Sequence, residues 1–424
     1  MFARLSILRH FIAARWLRRF AGRAALEAWQ RRRMQDFRRE VLAHLPLYRP
    51  LALAPLKDFP IADKAFVRHH FAGLNRLGIS HDEALPLARQ GAEVAGVTIG
   101  MSSGTSGNRG IFLVDAAERQ RWAGTILAKA LPPGGLARRH RIALVLAANS
   151  RLYTTTSQSG RIVFDFFDLT QGLDCHLAGL AAFDPTVLVA PAHVLAYLAR
   201  AGLGIAPERV FSVAEVLDPA EAAVIAQAWG GPVHQIYQCT EGFLGITCAH
   251  GTLHLNEDCV LVEKEWIDRG RRAFNPLITD FSRRTQAMVR YRMNDVLIER
   301  AVPCPCGSPL TALERIEGRR DDILAFSKAE DGLALMFPDD VRATILDAAP
   351  AASDFQAVQP DPGHLAVALA GDVPPDQISA VRAALCHAVR RLGADEPEIA
   401  FTAYQPPTDH ALKLRRVRRG FGLP

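Results

Sequence analysis

Nowhere does this chain of 424 residues reach the roughly 18 uninterrupted apolar residues that a membrane-spanning helix needs. Its opening, MFARLSILRHFIAARWLRRF, is broken by arginine throughout and has no small-residue cleavage site behind an apolar core, which argues against a secretion signal. Cysteine is sparse and odd in number, seven scattered residues, so a disulfide framework is not expected and the chain is assigned to the reducing cytoplasm. Internal repeats and low-complexity tracts are missing as well, which argues against a solenoid or a disordered linker. One further absence is local. The stretch GMSSGTSGNRGIF (100–112) is built like a phosphate loop but lacks the lysine that ends the pattern G-x-x-x-x-G-K-[ST], and Gly104 and Gly107 are too closely spaced for it.

What remains is an ordinary globular composition: 49% hydrophobic, 22% charged, mean hydropathy +0.05. A chain of this length exceeds the roughly 250–300 residues at which single cores stop growing, so two domains are expected. The formal charge of +6 is unevenly distributed: residues 1–50 hold twelve arginines against three acids, and KLRRVRR (413–419) adds five more basic residues. The body, residues 51–412, is therefore acidic, net −8, and nucleic acid is not an expected partner. In the opening segment Leu5, Leu8, Ile12, Trp16 and Phe20 share a helical stripe with Arg19 and Arg23 on the same side. Two readings stand: a helix packed on the domain body, or one in peripheral contact with a membrane surface. A transit peptide fits the arginine-rich, acid-poor start but not its low serine content. The basic tail reads as solvated or as touching RNA or lipid, and a homodimer is left open.

Beyond the arginine-rich helical segment (1–50) and the Pro-studded HLPLYRPLALAPLKDFP, apolar runs alternate with Ala/Leu-rich helical segments. RIALVLAAN (141–149), TVLVAPAHVL (186–195) and VHQIYQCTEG (233–242) read as strands. Such alternation predicts an α/β fold: a large domain over 51–320 with mixed, mostly parallel sheets and flanking helices, and ligands at the carboxyl ends of strands. The composition shifts after IEGRRDDILAF, and residues 323–424, with predicted helices near 338–348 and 376–392, suit a small mobile α+β domain joined at 318–322.

The glycines of 100–112 allow successive backbone N–H groups to converge on an anion, and Ser102, Ser103, Thr105 and Ser106 add donors. Downstream come YQCTEG (237–242), VRYRMNDV (289–296), GRRDD (318–322) and TDHALKLRR (408–416), in that order. With these five motifs the chain resembles the AMP-forming adenylate-forming superfamily of acyl-CoA ligases over residues 60–420, within it phenylacetate-CoA ligases and their relatives that adenylylate a deazaflavin coenzyme.

The resemblance implies that Ser102, Ser103, Gly104, Thr105, Ser106 and Gly107 embrace the β and γ phosphates of ATP, that Thr240 touches the α phosphate and that Glu241 holds Mg²⁺. It places Ala214, Glu215 and Tyr237 at the nucleotide, Asp295 and Arg319 at the ribose, and the hinge at Asp321. Lys413, on the small domain, reaches the acceptor oxygen and the α phosphate in the first half-reaction. The chemistry agrees, because attack on phosphorus needs mainly positioning and charge neutralisation. Departures from the family pattern are Gly110 in place of lysine, with Arg109 a substitute charge, Met293 and Asn294 in place of Thr-Gly, and the lengthened SKAEDGLALMFP.

Cys248, His254, Cys304 and Cys306 form a second constellation, four donors that can close a structural tetrahedral zinc site, with His250 or Cys259 as substitutes for one ligand. Three functions are carried forward. The first is ATP-dependent adenylation of an organic acid, aromatic by resemblance, followed by transfer to coenzyme A, with IVFDFFD (162–168) and Phe243 either lining the acid pocket or filling the core. The second is adenylylation of a hydroxyl without thioester formation. The third is a binding protein on a degenerate ligase scaffold.

Overall fold

The computed structural model describes residues 2–101, 110–147, 161–329, 332–405 and 415–422. Ser102 to Gly107 and Lys413 lie outside the described residues. The backbone divides into two units, Met1–Met293 with Glu299–Arg315, and Asn294–Ile298 with Ile316–Pro424. No helix among the described residues is long and apolar enough to cross a membrane.

The first unit begins with helices α1 (Phe2–Ile12) and α2 (Arg23–Glu40), joined through a π-helical turn over Ala13–Leu17. One face of α1 packs on α3 (Ala116–Ala130), and the crossing is set by Gly124. A Cβ there would stand 2.4 Å from the Ile7 carbonyl oxygen and 2.9 Å from the Phe11 nitrogen. Phe11 is fully buried with Leu127, Leu131 and Ile142. Arg15 donates to the carbonyls of Ala128, Leu131 and Pro132 at 2.7, 3.1 and 3.2 Å, satisfying the acceptors that a helix C-terminus leaves over. Replacing Gly124 with valine is expected to cost about 1–3 kcal/mol, because backbone rather than a flexible side chain must yield. Denaturant unfolding of Gly124→Val measures it.

The arginines here are structural as well as solvated. Arg18 and Lys129 flank the buried Asp258 at 3.4 and 2.7 Å, while Arg23 reaches Glu257 at 2.8 Å. Burial alone would raise the Asp258 pKa, but Lys129 and Arg18 outweigh it and hold the carboxyl below its ordinary range. Trp29 and Gln30 of α2 donate to the carbonyls of Asp258 and Glu257. Residues 18–30 are thus bound to Glu257 and Asp258 by hydrogen bonds and ion pairs.

A hairpin-linked small sheet follows: β1 (Glu93–Val94), β2 (Val97–Met101) and β3 (Ile111–Asp115), all antiparallel. The large sheet contains β4 (His140–Leu146), β5 (Ile162–Asp168), β6 (Val187–Ala190), β7 (Arg209–Val213), β8 (Val233–Cys239), β9 (Gly242–Thr247) and β10 (Leu253–Leu255) in the order β10-β9-β8-β7-β6-β4-β5. Its members from β5 to β8 are parallel, and β9 and β10 turn it antiparallel. β11 (Val260–Asp268) and β12 (Ala273–Asp280) form an antiparallel hairpin extended by β13 (Tyr291–Arg292). The expected mostly parallel α/β sheet is present. TVLVAPAHVL differs from the reading above: its strand stops at Ala190, and Pro191 opens a helix, α4 (Ala192–Arg200). Proline cannot donate to a ladder but suits a helix start.

In the second unit a four-stranded sheet, ordered Glu398–Ala403, His364–Ala370, Asp354–Asp361, Val417–Arg419, packs against helices Pro338–Ala348 and Pro375–Arg391. Both helices lie where the sequence predicts them. Val341, Ile345, Val381, Leu385 and Val389 fill the core between these elements.

Candidate active site

Thr240 and Glu241 occupy the two-residue turn of the β8–β9 hairpin, between paired Cys239 and Gly242. The hairpin stands at the carboxyl end of the last parallel strand, where open α/β sheets hold ligands. Gly242 packs closely there, since a Cβ would stand 3.0 Å from the carboxylate of buried Asp280. Asp280 accepts from the backbone and hydroxyl of Ser282 at 2.8 and 2.6 Å and pairs with Arg283 at 3.5 Å. Arg283 also donates to the Thr240 carbonyl. Burial raises the Asp280 pKa against the opposing pull of Arg283.

Glu241 accepts a hydrogen bond from the buried Tyr291 hydroxyl. Burial, then the Glu241 charge, push the Tyr291 phenol far up, so it stays a donor. Among the described residues no protein cation pairs with Glu241. A half-buried carboxylate with one neutral donor and no cation is suited to a hard divalent ion such as Mg²⁺.

The Gly/Ser/Thr stretch joins β2 to β3, whose last pairing is Met101 with Ile111. Its far end, Gly110, faces Thr240: a Cβ on Gly110 would be 3.5 Å from the Thr240 hydroxyl. The loop base and the Thr-Glu turn therefore adjoin. One segment ties both. Gln286, fully buried, accepts from the Leu113 amide at 3.0 Å and donates to the Ile111 carbonyl at 3.4 Å, while Arg283 three residues earlier holds Thr240. Glu118 at the start of α3 accepts from the amides of Arg284 and Thr285 at 2.6 and 3.1 Å and fixes that segment.

Val213 pairs with Ile236, so Ala214 and the buried Tyr237 follow side by side at the carboxyl ends of β7 and β8. Ala214 has a φ of +69°, a left-handed turn that redirects the chain. The Glu215 carboxylate accepts from the His193 amide and faces its ring nitrogen, each at 2.8 Å, which caps α4. Phe243 and Phe167 are core residues, whereas Phe164 and Phe166 are only partly buried.

Asp295, Arg319 and Asp321 belong to the second unit. Asn294 donates to Asp321 at 2.7 Å and accepts from the Arg320 amide at 2.7 Å. The Arg319 amide donates to Asp322, which also receives the Arg415 guanidinium, through Nε at 3.0 Å. Gly318 has a φ of +140°, a conformation open to glycine.

Cys248, His254, Cys304 and Cys306 converge, their donor atoms all within 4.8 Å of one another. The Cys248 and Cys304 sulfurs are 3.7 Å apart, and the Cys306 sulfur lies 3.4 Å from His254 Nε2. A tetrahedron with Zn–S bonds of about 2.3 Å has S···S edges of about 3.8 Å. His254 Nδ1 meets the Leu310 carbonyl at 3.1 Å, leaving Nε2 for a metal. Burial pushes the Cys304 thiol up, but hydrogen bonds from Thr252, the Cys306 backbone and His254 outweigh it and bring it down to about 6. The two substitutes fall away. The His250 amide only donates to the Cys248 sulfur, and Cys259 lies against Arg18 with its thiol pushed up to about 12 by burial.

Sequence reasoning missed Asp280, Arg283, Gln286 and Glu118. Asp280-Phe-Ser282 carries a turn signal, but nothing local marks the other three.

No protein-family model and no curated protein matches the sequence. Solved structures do. A 2-hydroxyisobutyryl-CoA ligase in the postadenylation state superposes with a TM-score of 0.65 at 16% identity, covering 93% of this chain and 89% of its own. The amide bond synthetase McbA from Marinactinospora thermotolerans gives 0.52 at 15% identity, with 73% and 66% covered. The anthranilate CoA ligase AuaEII in complex with anthranoyl-AMP gives 0.50 at 16%, with 73% and 64% covered. At these identities the likeness is one of fold: the chain has the architecture of the adenylate-forming ligases.

Proposed function

We propose that the protein adenylates an organic acid with ATP and passes the acyl group to coenzyme A. The observation that carries this reading is Gly110 against Thr240, which sets the base of a Gly/Ser/Thr loop beside a Thr-Glu turn. In the first half-reaction the acid's carboxylate oxygen attacks the α phosphorus and the bond to pyrophosphate breaks. In the second, the thiolate attacks the acyl carbon and AMP leaves. Ser102 to Gly107 donate to the β and γ phosphates, Thr240 to the α phosphate, and Glu241 holds Mg²⁺, which neutralises charge on the phosphoryl oxygens. Ala214, Glu215 and Tyr237 line the nucleotide, with Glu215 acting through its cap on α4. Asp295 accepts from the ribose hydroxyls, Arg319 adds a donor there, and Asp321 is the hinge.

Coenzyme A as acceptor is supported by the two CoA ligases among the similar structures. An aromatic acid is the substrate class we assign, with Phe164 and Phe166 as pocket candidates. The four-ligand Cys/His cluster holds a structural Zn²⁺, since four protein ligands leave no open position. Lys413 brings the remaining positive charge to the α phosphate. Lys413→Ala is expected to lower acid-dependent ATP–pyrophosphate exchange by about a hundredfold. Exchange at the wild-type rate removes Lys413 from the first half-reaction.

A further inference from the structure

The helix α1 is apolar on both sides, yet only one side is in the core. At 100° per residue, Ile7, His10 and Phe11 fall on the side that meets Gly124. Leu5, Leu8 and Ile12 fall together on the opposite side and are 56%, 39% and 39% exposed. Trp16 and Leu17 in the following turn are 53% and 72% exposed. Nearly half of the exposed large apolar side chains in the described chain thus lie within one short segment. Arg9 borders the stripe and Arg19 follows it, both exposed, in a fifty-residue region of net charge +9.

We propose that this face docks on an anionic lipid bilayer, with α1 in the plane of the interface. Leu5, Leu8, Ile12 and Trp16 enter the acyl boundary, and Arg9 and Arg19 meet lipid phosphates, the division of labour of an interfacial amphipathic helix. The charge selects this occupant. A second copy joined by a two-fold axis sets the same arginine-bordered stripe against itself, so like charges face each other. A nucleic acid satisfies the arginines but offers no apolar phase to the leucines. The surface is also preformed, because Phe11 and Arg15 already fix the helix to α3, so docking orders no new segment.

The test is sedimentation of the full chain with phosphatidylcholine vesicles, with and without about 30% phosphatidylserine. Binding is expected to the anionic vesicles only and to weaken at high salt. Leu8→Asp/Ile12→Asp is expected to reduce it at least about tenfold, and Arg9→Glu about fivefold or more, the latter with an unchanged melting temperature because Arg9 is exposed. Absence of vesicle binding by the wild type overturns the proposal, as does equal binding by the two variants. A dimer in sedimentation velocity that Leu8→Asp/Ile12→Asp abolishes, without vesicle binding, assigns the face to a second copy instead. Should the double variant fail to fold, Arg9→Glu alone decides, since it lies outside the packing on α3.

Discussion

Glu241→Gln is expected to lower acid-dependent ATP–pyrophosphate exchange by on the order of 10²–10³-fold. The substitution preserves shape and the acceptor oxygen that Tyr291 uses, so the β8–β9 turn keeps its geometry. It removes the negative charge that a divalent cation needs. The loss therefore falls on Mg²⁺ dependence: the variant is expected to need far more Mg²⁺ for half-maximal exchange, with an unchanged unfolding midpoint. Full activity at ordinary Mg²⁺ removes Glu241 as the metal ligand. A fall in stability instead assigns the carboxylate to holding Tyr291.

The second large effect concerns the Cys/His cluster. Protein purified without chelator is expected to carry one zinc per chain. Cys304→Ser/Cys306→Ser is expected to carry none and to lose about 3–5 kcal/mol, because metal binding free energy is folding free energy where the site forms only in the native state. For a unit of this size that is roughly 10 °C in melting temperature. The cluster joins β10, through His254, to the loop carrying Cys304 and Cys306, so its loss loosens that part of the large sheet rather than the turn at Glu241. Residual exchange activity in the folded fraction separates this structural role from a catalytic one. Wild-type protein free of zinc contradicts the assignment.

Much of this organisation is legible in the sequence because it is local. The strands beginning near Arg141 and Val233, the helices at 338–348 and 375–391, and the Thr-Glu pair all follow from period, propensity and turn residues. TVLVAPAHVL misleads because both its halves are apolar, and only Pro191 marks the change from strand to helix. What cannot be read locally is the bracing. Gln286 bonds Leu113 and Ile111 across more than 170 positions of chain, and Glu118 meets Thr285 across 167. Such pairs look like ordinary surface residues until the fold buries them. Among six Cys and His candidates for the metal, spacing leaves several sets of four, and convergence in space selects one. The α1 stripe is visible in the sequence as periodicity, but which of its two apolar faces the core takes depends on Gly124, more than a hundred residues away.

The central claim is that this chain makes an acyl adenylate. Its most direct test is mass spectrometry of the products formed from ATP, Mg²⁺ and a panel of aryl acids, with and without coenzyme A. An acyl-AMP in the absence of coenzyme A and a thioester with AMP in its presence are the predicted products. An AMP adduct on a hydroxyl substrate, or no acid-dependent product from any member of the panel, contradicts the account.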